Sequence, residues 1–523
     1  MKRFTQALVD CLQEPKTNRK IEILSAYLSE EDIENLPIAF HLLIGENFGR
    51  FCSSKLLRSW CAEQLQLPEW LIDESYEALG DNSETIALCL SHNHQRTSTE
   101  LHQIYQEMLE LKDAPIDTKK EWVTRYWGSL PSQDIYTFNK LLGGGIRIGA
   151  SKKNVLKALS QISNIEPETL EHRLLGNWTP NQISYQQLIS AVDHDETGIR
   201  PYPFFLASPI QGELQDTINN INDWIVEPKW DGIRAQLVHR PDGIALWSRG
   251  NDLISHQFPE IITAASQLDF GVYDGEILVW KDDQPQPFFE LQKRLNRKRV
   301  TETMMKALPC IMKLYDCMEI NGTDIRQESI IDRRNYLTNL NDPFYLSEPF
   351  SLSSIDELES IVKNARSDKL EGVIIKRKMS IYQSGRLRGD WWKLKVEPLT
   401  LDVVIMYAQK GRGIRSGLYT DYTFGVWDDD QLVPIGKAYS GLTNQEIKEV
   451  NKIIKDHLTD KFGPVRAMVP CVVLEVAFDD IQPSSRHKSG LALRFPRIHR
   501  LRLDKPIKEA NTIEDARMLC KHS

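Results

Sequence analysis

The stretch Glu227-Pro228-Lys229-Trp230-Asp231-Gly232-Ile233-Arg234 decides how the chain is read. With Trp224, Ile225 and Val226 ahead of it, its first half reads as a β-strand, and Asp-Gly reads as the turn that ends it. A lysine at that place emerges where a bound substrate can reach it. Taken alone, K-x-D-G is more often a strand running into an ordinary hairpin, so the residues on either side must decide.

Downstream of PYPFFLASP (201 to 209), WIVEPKW, IRAQLVH, GIALWSR, GVYDGEILVW, MKLYDCME and EGVIIKR read as strands alternating with helical stretches. They predict a mixed α+β domain over 201–398. Beyond Pro398, LDVVIMYAQ, YTFGVWD, VPIGKAYS and CVVLEVAFD read as strands, with the helix NQEIKEVNKIIKDHL among them. This strand-rich module, 399–523, is compatible with a small β-barrel of the oligonucleotide-binding kind. Upstream, residues 1–200 read as an all-α domain: Ile21, Leu24, Tyr27 and Leu28 share one helical face, as do Val155, Leu156, Leu159 and Ile162. Within it, GGGIRIGASKKNVLKAL (143 to 159) sets glycines and Arg147 before a helix. Backbone N–H groups there could receive a phosphate, or the segment is only a turn between helices.

Composition narrows the classes. A chain of 523 residues exceeds what one core serves, and 41% hydrophobic with 26% charged residues excludes a disordered or fibrous protein. The net charge of −9 argues against a polyanionic partner until its distribution is read. Residues 374–415 carry ten Lys/Arg against three acids, 486–505 seven against one, and 291–306 six against one. Such clusters are either solvated surface or a phosphate-binding groove. The eight cysteines show no CxxC pair, which argues against a zinc ribbon or a disulfide framework. His92 and His94 have metal-like spacing but no further ligands nearby. With no apolar stretch of signal-peptide or membrane length, a cytoplasmic protein without a membrane partner is expected.

The lysine stretch is followed by an ordered series of short charged motifs: SRG (248 to 250), YDGEI (273 to 277), LYDCMEING (314 to 322), EGVIIK (371 to 376), WWKLK (391 to 395) and RFPR (494 to 497). In this series the chain resembles the ATP-dependent DNA ligases of the covalent nucleotidyltransferase superfamily, over essentially its whole length. The form is similar to bacterial ligases with a helical DNA-binding domain and no long C-terminal extension. The resemblance implies a helical DNA-binding domain, an adenylation (nucleotidyltransferase) domain and a C-terminal OB-fold, with the helical domain completing a ring around the duplex.

It also implies the chemistry. Lys229 would attack the α-phosphate of ATP, which an amine does only unprotonated, so cations such as Lys393 and Lys395 and partial burial should lower its pKa. Lysyl-AMP then passes AMP to the 5′-phosphate of a nick, and the 3′-hydroxyl displaces it. By the same resemblance Glu227 recognises adenine and Tyr315 stacks on it. Arg234 and Arg249 contact sugar and phosphate, and Glu276 and Glu371 hold Mg²⁺, with Mn²⁺ as a substitute. In SGRLRGD (384 to 390) two arginines compete for one nucleotide contact, and Arg388 is favoured over Arg386 because it lies nearer WWKLK. Arg494 and Arg497 would swing over the pocket to orient pyrophosphate.

Other readings use part of the same residues. An RNA ligase or capping-type guanylyltransferase shares the lysine motif but predicts no large helical domain such as residues 1–200 supply. A non-catalytic nick-binding protein should lack catalytic side chains, yet Lys229, Glu276, Glu371, Lys393 and Lys395 all stand in place. The expected partner is nicked double-stranded DNA, bound by a monomer. A helicase and a nuclease of one repair pathway are implied by resemblance alone.

Overall fold

The amphipathic segments of the first part of the chain form helices, from Lys2–Gln13 and Thr17–Glu30 through Ile116–Ser129 and Ser132–Leu142 to Gln182–Leu188. Several begin on a side chain that accepts a helix N–H: Ser53 from Leu56, Asp81 from Ser83 and Glu84, Ser151 from Asn154. In this computed structural model the described residues are 1–90, 99–146, 148–174, 178–190, 198–295, 297, 299–337, 340–411, 417–462, 465–485 and 487–521. The chain separates into two compact units, Met1–Asp195 and Glu196–Ser523.

The helical unit has one continuous apolar core. Ile21, Leu24, Tyr27 and Leu28 are buried in it, as are Val155, Leu156 and Leu159. Ile162 is not. It lies in the last turn of Lys152–Ser163, just before the left-handed Asn164 cap, and is 37% exposed. Arg147, His92 and His94 lie outside the described residues.

The second unit opens with two sheets. Strands β1 (Trp224–Trp230), β2 (Ile233–Arg240), β3 (Gly243–Ser248), β4 (Gly271–Lys281), β5 (Cys310–Ile320), β6 (Leu370–Arg377) and β7 (Trp391–Lys395) supply their frame. One sheet includes the run β3-β2-β4-β5, whose neighbours are antiparallel; in the other, β6 pairs antiparallel with both β1 and β7. Asp231-Gly232 is therefore where the chain leaves one sheet for the other. Glycine is required at 232 because a Cβ there would lie 2.3 Å from the Ile277 carbonyl oxygen.

Period-two alternation sorts the residues of β4. Tyr273, Ile277 and Val279 enter a core with Ala235 and Leu237 of β2 and Met312 and Leu314 of β5, which leaves Asp274 and Glu276 for the opposite face. Beneath that face Phe205, Tyr382 and Trp391 pack ring against ring.

The rest of the unit is an OB-like, strand-rich body. Strand β8 (Leu399–Lys410) pairs with β9 (Tyr419–Asp428), which pairs with β10 (Gln431–Ala438). Its first half also pairs with β11 (Val473–Phe478), which in turn pairs with β12 (Arg497–Leu501). The helix Asn444–Asp456 begins on a capping box between Thr443 and Glu446 and buries Val450 and Ile454 in the core. It ends before Leu458, which opens the strand Leu458–Phe462, so the helical pattern expected to continue through Leu458 stops short. RFPR spans the end of one strand and the start of the next: Leu491–Arg494 and Arg497–Leu501 are broken at Phe495, whose φ is +51°.

One buried ion pair supports the first of these bodies. Arg333 and Asp316 are both fully buried and meet through two hydrogen bonds of 2.8 and 2.9 Å, and Arg333 also donates to the Glu328 and Ser380 carbonyls. Removing one partner strands the other charge, at a cost of about 3–5 kcal/mol. Arg333→Met should lower unfolding free energy by that amount in a denaturant titration, and Arg333→Met with Asp316→Leu should recover part of it. Additive losses in the double variant would mean the pair does not act as a pair.

Candidate active site

The cavity lies where the two sheets part. Lys229, Glu227 and Trp230 of β1 line it with Arg234 of β2, Glu276 of β4, Tyr315 of β5, Lys376 of β6 and Lys393 of β7, and Arg249 and Arg386 complete the wall. Pairing of β6 with β1 slips by one residue here. Leu370 faces Trp230 and Gly372 faces Lys229, so Glu371 is the bulged residue between them. Gly372 adopts φ +136°, and a Cβ on it would lie 2.1 Å from the Leu394 carbonyl oxygen. The bulge delivers the Glu371 carboxylate onto the Lys229 amine, with which it forms an ion pair.

The acidic side of the cavity is unevenly compensated. Burial raises the Glu371 carboxyl, but Lys229 and Lys395 outweigh burial and hold it down at about 2. For Glu276 burial prevails over Lys229 and Arg234, and its carboxyl is pushed up to about 8. Asp231 is also raised, by burial first, with Arg494 working against the shift.

The basic side is uncompensated. Among the described residues, Arg249, Arg386 and Lys393 have no acid within ion-pair distance. Lys393 is held below the usual lysine range by burial and then by Arg386, Lys229, Lys395 and Arg249; Arg249 is lowered by burial, Arg234 and Arg386. Three cations that repel one another around one cavity form a site for an anion.

Arg234 stands beside them but is spoken for. Its guanidinium forks onto buried Asp274 at 3.1 and 2.7 Å, and the Tyr382 hydroxyl donates to the same carboxylate at 2.7 Å. At the far end Tyr315 lies 8% exposed, with the Lys376 amine 4.5 Å from its ring centroid. Glu227 is ion-paired to Lys376 and to Arg334.

Lys395, Arg494 and Arg497 do not line the cavity and stand on its OB-like side. Lys395 reaches Glu371 at 3.6 Å and Asp479 at 3.4 Å; Arg497 meets Asp479 at 2.9 Å, and Arg494 meets Asp231 at 2.5 Å. Both arginines of SGRLRGD are exposed, and they stand in different surroundings. Arg386 lines the cavity, whereas Arg388 donates to Gln211 at 3.2 Å. A bridge between Gly385 and Phe205 holds Arg386 beside cavity residues Leu206 and Ala207, and the chain then bends away.

Sequence reading did not single out Asp231, Arg334 or Lys376 as site residues. The first and last lie inside motifs already quoted; Arg334 lies in none, and no local signal marks it. Among the described residues no helix is long and apolar enough to cross a membrane.

Three family models match the chain in order: DNA ligase N terminus over 1–160, ATP dependent DNA ligase domain over 204–395, and ATP dependent DNA ligase C terminal region over 415–505. A probable DNA ligase of Koribacter versatilis (strain Ellin345) is 29% identical over 96% of this chain and 93% of its own. A DNA ligase of Thermococcus fumicolans is 25% identical over 95% of this chain and 93% of its own. The solved structure named Pmar-Lig_PreS3 shares the fold over 95% of this chain and 99% of its own, with a TM-score of 0.63 at 14% identity. Together with a lysine set between an anion site and a carboxylate site, these matches place the chain in the ATP-dependent DNA ligase family, whose members seal nicked DNA with ATP as substrate through a covalent adenylate.

Proposed function

We propose that Lys229 is the residue that carries AMP, and that Arg249, Arg386 and Lys393 receive the phosphates of ATP. The observation that carries this reading is the set of three cations without counter-ions gathered around the cavity that Lys229 borders. The Lys229 ammonium leaves its ion pair with Glu371 and sheds a proton to solvent, the freed nitrogen bonds the α-phosphorus, and the bond to pyrophosphate breaks. A 5′-phosphate oxygen of the nick then takes AMP from the lysine. The 3′-hydroxyl finally attacks that 5′-phosphate, and AMP leaves as the phosphodiester forms. Cations fixed before reaction stabilise the charge that gathers on phosphate oxygens in each step.

Tyr315 is the stacking face for adenine and Glu227 its polar contact. Arg234, committed to Asp274, braces the sugar side. Arg494 and Arg497, beside Asp231 and Asp479, are placed to meet pyrophosphate from the OB-like body. Glu276 fits a divalent cation, because burial pushes its carboxyl up to about 8 against the pull of Lys229 and Arg234, and a bound cation would favour its ionised form. Glu276 and Glu371 would hold Mg²⁺, or Mn²⁺ in its place, and the ion would neutralise phosphate charge. Functionally the chain divides at about 200 and 398 into DNA-binding, adenylation and OB-fold domains. The family resemblance supports a monomer acting in the cytoplasm, with a helicase and a nuclease of one repair pathway as partners.

Lys229→Ala should abolish labelling of the protein by α-labelled ATP yet retain sealing of a nick that already carries AMP on its 5′-phosphate. Labelling that survives the substitution would remove Lys229 from its role.

The raised Glu276 carboxyl gives a pH signature. The folded protein holds that proton up to about 8 while the unfolded chain releases it near the ordinary value of 4.5, so the group reduces stability as pH rises through that window. Glu276→Gln lacks the effect. Its melting temperature should gain on wild type from pH 5 to pH 8, and Mg²⁺ should raise that of wild type more than that of the variant at pH 8. A difference that stays constant across the window would place Glu276 in an ordinary solvated setting.

A further inference from the structure

Glu227 is 2% exposed and has a cation on each oxygen, Lys376 on Oε1 and Arg334 on Oε2, the latter at 3.0 Å. Lys376 comes from β6, the strand paired with β1. Arg334 comes from the short helix Ile330–Asn335, 107 residues away along the chain. Its Nη1 also donates to the Tyr315 carbonyl at 2.9 Å, and its Nη2 donates to the Ser347 carbonyl at 2.7 Å. One guanidinium is thus fixed by acceptors on three separate segments. The neighbouring Arg333 is locked to Asp316, so the helix that presents Arg334 is itself anchored.

We propose that Arg334 is a positioning residue for base selection: it holds the Glu227 carboxylate so that only a purine bearing a 6-amino group can pair with it. The proposal rests on the reading of Glu227 as the polar contact of adenine. With a cation on each oxygen, Glu227 presents only acceptor lone pairs. A 6-amino group donates into them. A 6-oxo group brings a second acceptor, and both oxygens are then left unpaired in a desolvated space, which is costly.

Lys376 alone would not secure this. Its amine is a compact, rotatable donor that can turn from Glu227 to a 6-oxo oxygen, and burial holds it below the usual lysine range with Glu227 only partly offsetting that. The Arg334 fork is restrained from turning in that way, because the Tyr315 and Ser347 carbonyls hold it through Nη1 and Nη2. The same contact to Tyr315 ties the stacking strand to the carboxylate, so the ring face and the polar edge of the base site keep one spacing. Trp230, next to Lys229, donates to the Ser347 hydroxyl at 3.0 Å, so a substitution at 334 can also slow the reaction with every nucleotide. Only the preference between nucleotides isolates the proposed role.

The test is formation of covalent nucleotidyl-protein from ATP and from ITP, compared as the ratio of kcat/KM in wild type, Arg334→Met and Glu227→Gln. A cooperative melting transition like that of wild type reports that each variant is folded. Arg334→Met should lower the preference for ATP by about tenfold or more, the factor expected when one charge-assisted hydrogen bond is lost. If both nucleotides slow equally and the ratio holds, the proposal is overturned, and Arg334 is structural only. If Glu227→Gln keeps the wild-type ratio, the adenine reading beneath the proposal fails instead. Should the methionine variant not fold, Arg334→Gln keeps a donor for the two carbonyls without the charge, and its ratio decides in the same way.

Discussion

A single β-bulge governs the chemistry of this molecule. Were β6 to pair with β1 without a slip, Glu371 would take its turn in the strand alternation, and nothing would bring it onto the Lys229 amine. The extra residue between Leu370 and Gly372 frees the Glu371 side chain from that alternation, and Gly372 lets the backbone pass close to Leu394. Lys229, the residue proposed to carry AMP, is consequently held against an acid in a partly buried pocket. The arrangement is local, but it depends on two long-range facts: that β6 reaches β1 across 142 residues of chain, and that β7 closes on the other side of β6.

Charge then divides the pocket into regions with different appetites. Arg249, Arg386 and Lys393 repel one another and are relieved by an anion; Glu276 is relieved by a cation. A nucleoside triphosphate with a divalent ion satisfies both at once, which neither an isolated phosphate nor an isolated metal does. The base end is the opposite case. Glu227, Lys376 and Arg334 already satisfy one another, so that end is rigid before the ligand arrives and can afford to be selective. Rigidity where the base is read and frustration where the phosphate reacts suit a site that must recognise one nucleotide and then transfer part of it.

The sequence made the strands of the catalytic body legible because each bears β-branched or aromatic residues bounded by turn signals, and the motifs sit on or just after them. The family resemblance that those motifs carry implied that Lys229, Glu276, Tyr315 and Lys393 share one site, and all four line the cavity. What resisted reading was direction and distance. Arg386 and Arg388 differ by two positions in a segment that is not a strand, so alternation could not say which faced inward; a bridge from Gly385 to Phe205 decided it. Arg334 carries no motif, and its role exists only because a separate helix end meets β1. Leu458 continued an apolar helical rhythm and became a strand, because pairing with Met468 overrode the local preference.

The OB-like body enters the site through charge rather than through apolar packing. Arg494 is paired with Asp231, the residue that ends the lysine strand, and Arg497 shares Asp479 with Lys395. Each of these contacts joins a basic group to an acid that is itself close to Glu371 or to a lysine beside it. The pairs on Asp479 are partly exposed and individually weak, worth about 1 kcal/mol or less each where water reaches them, so they can form and break as the charge in the pocket changes; the Arg494–Asp231 pair is set deeper. A triphosphate would compete with Asp231 and Asp479 for the two arginines, and release of pyrophosphate would return them to those acids. A change in the charge of the nucleotide would therefore act on the contacts of the OB-like body through the same few side chains.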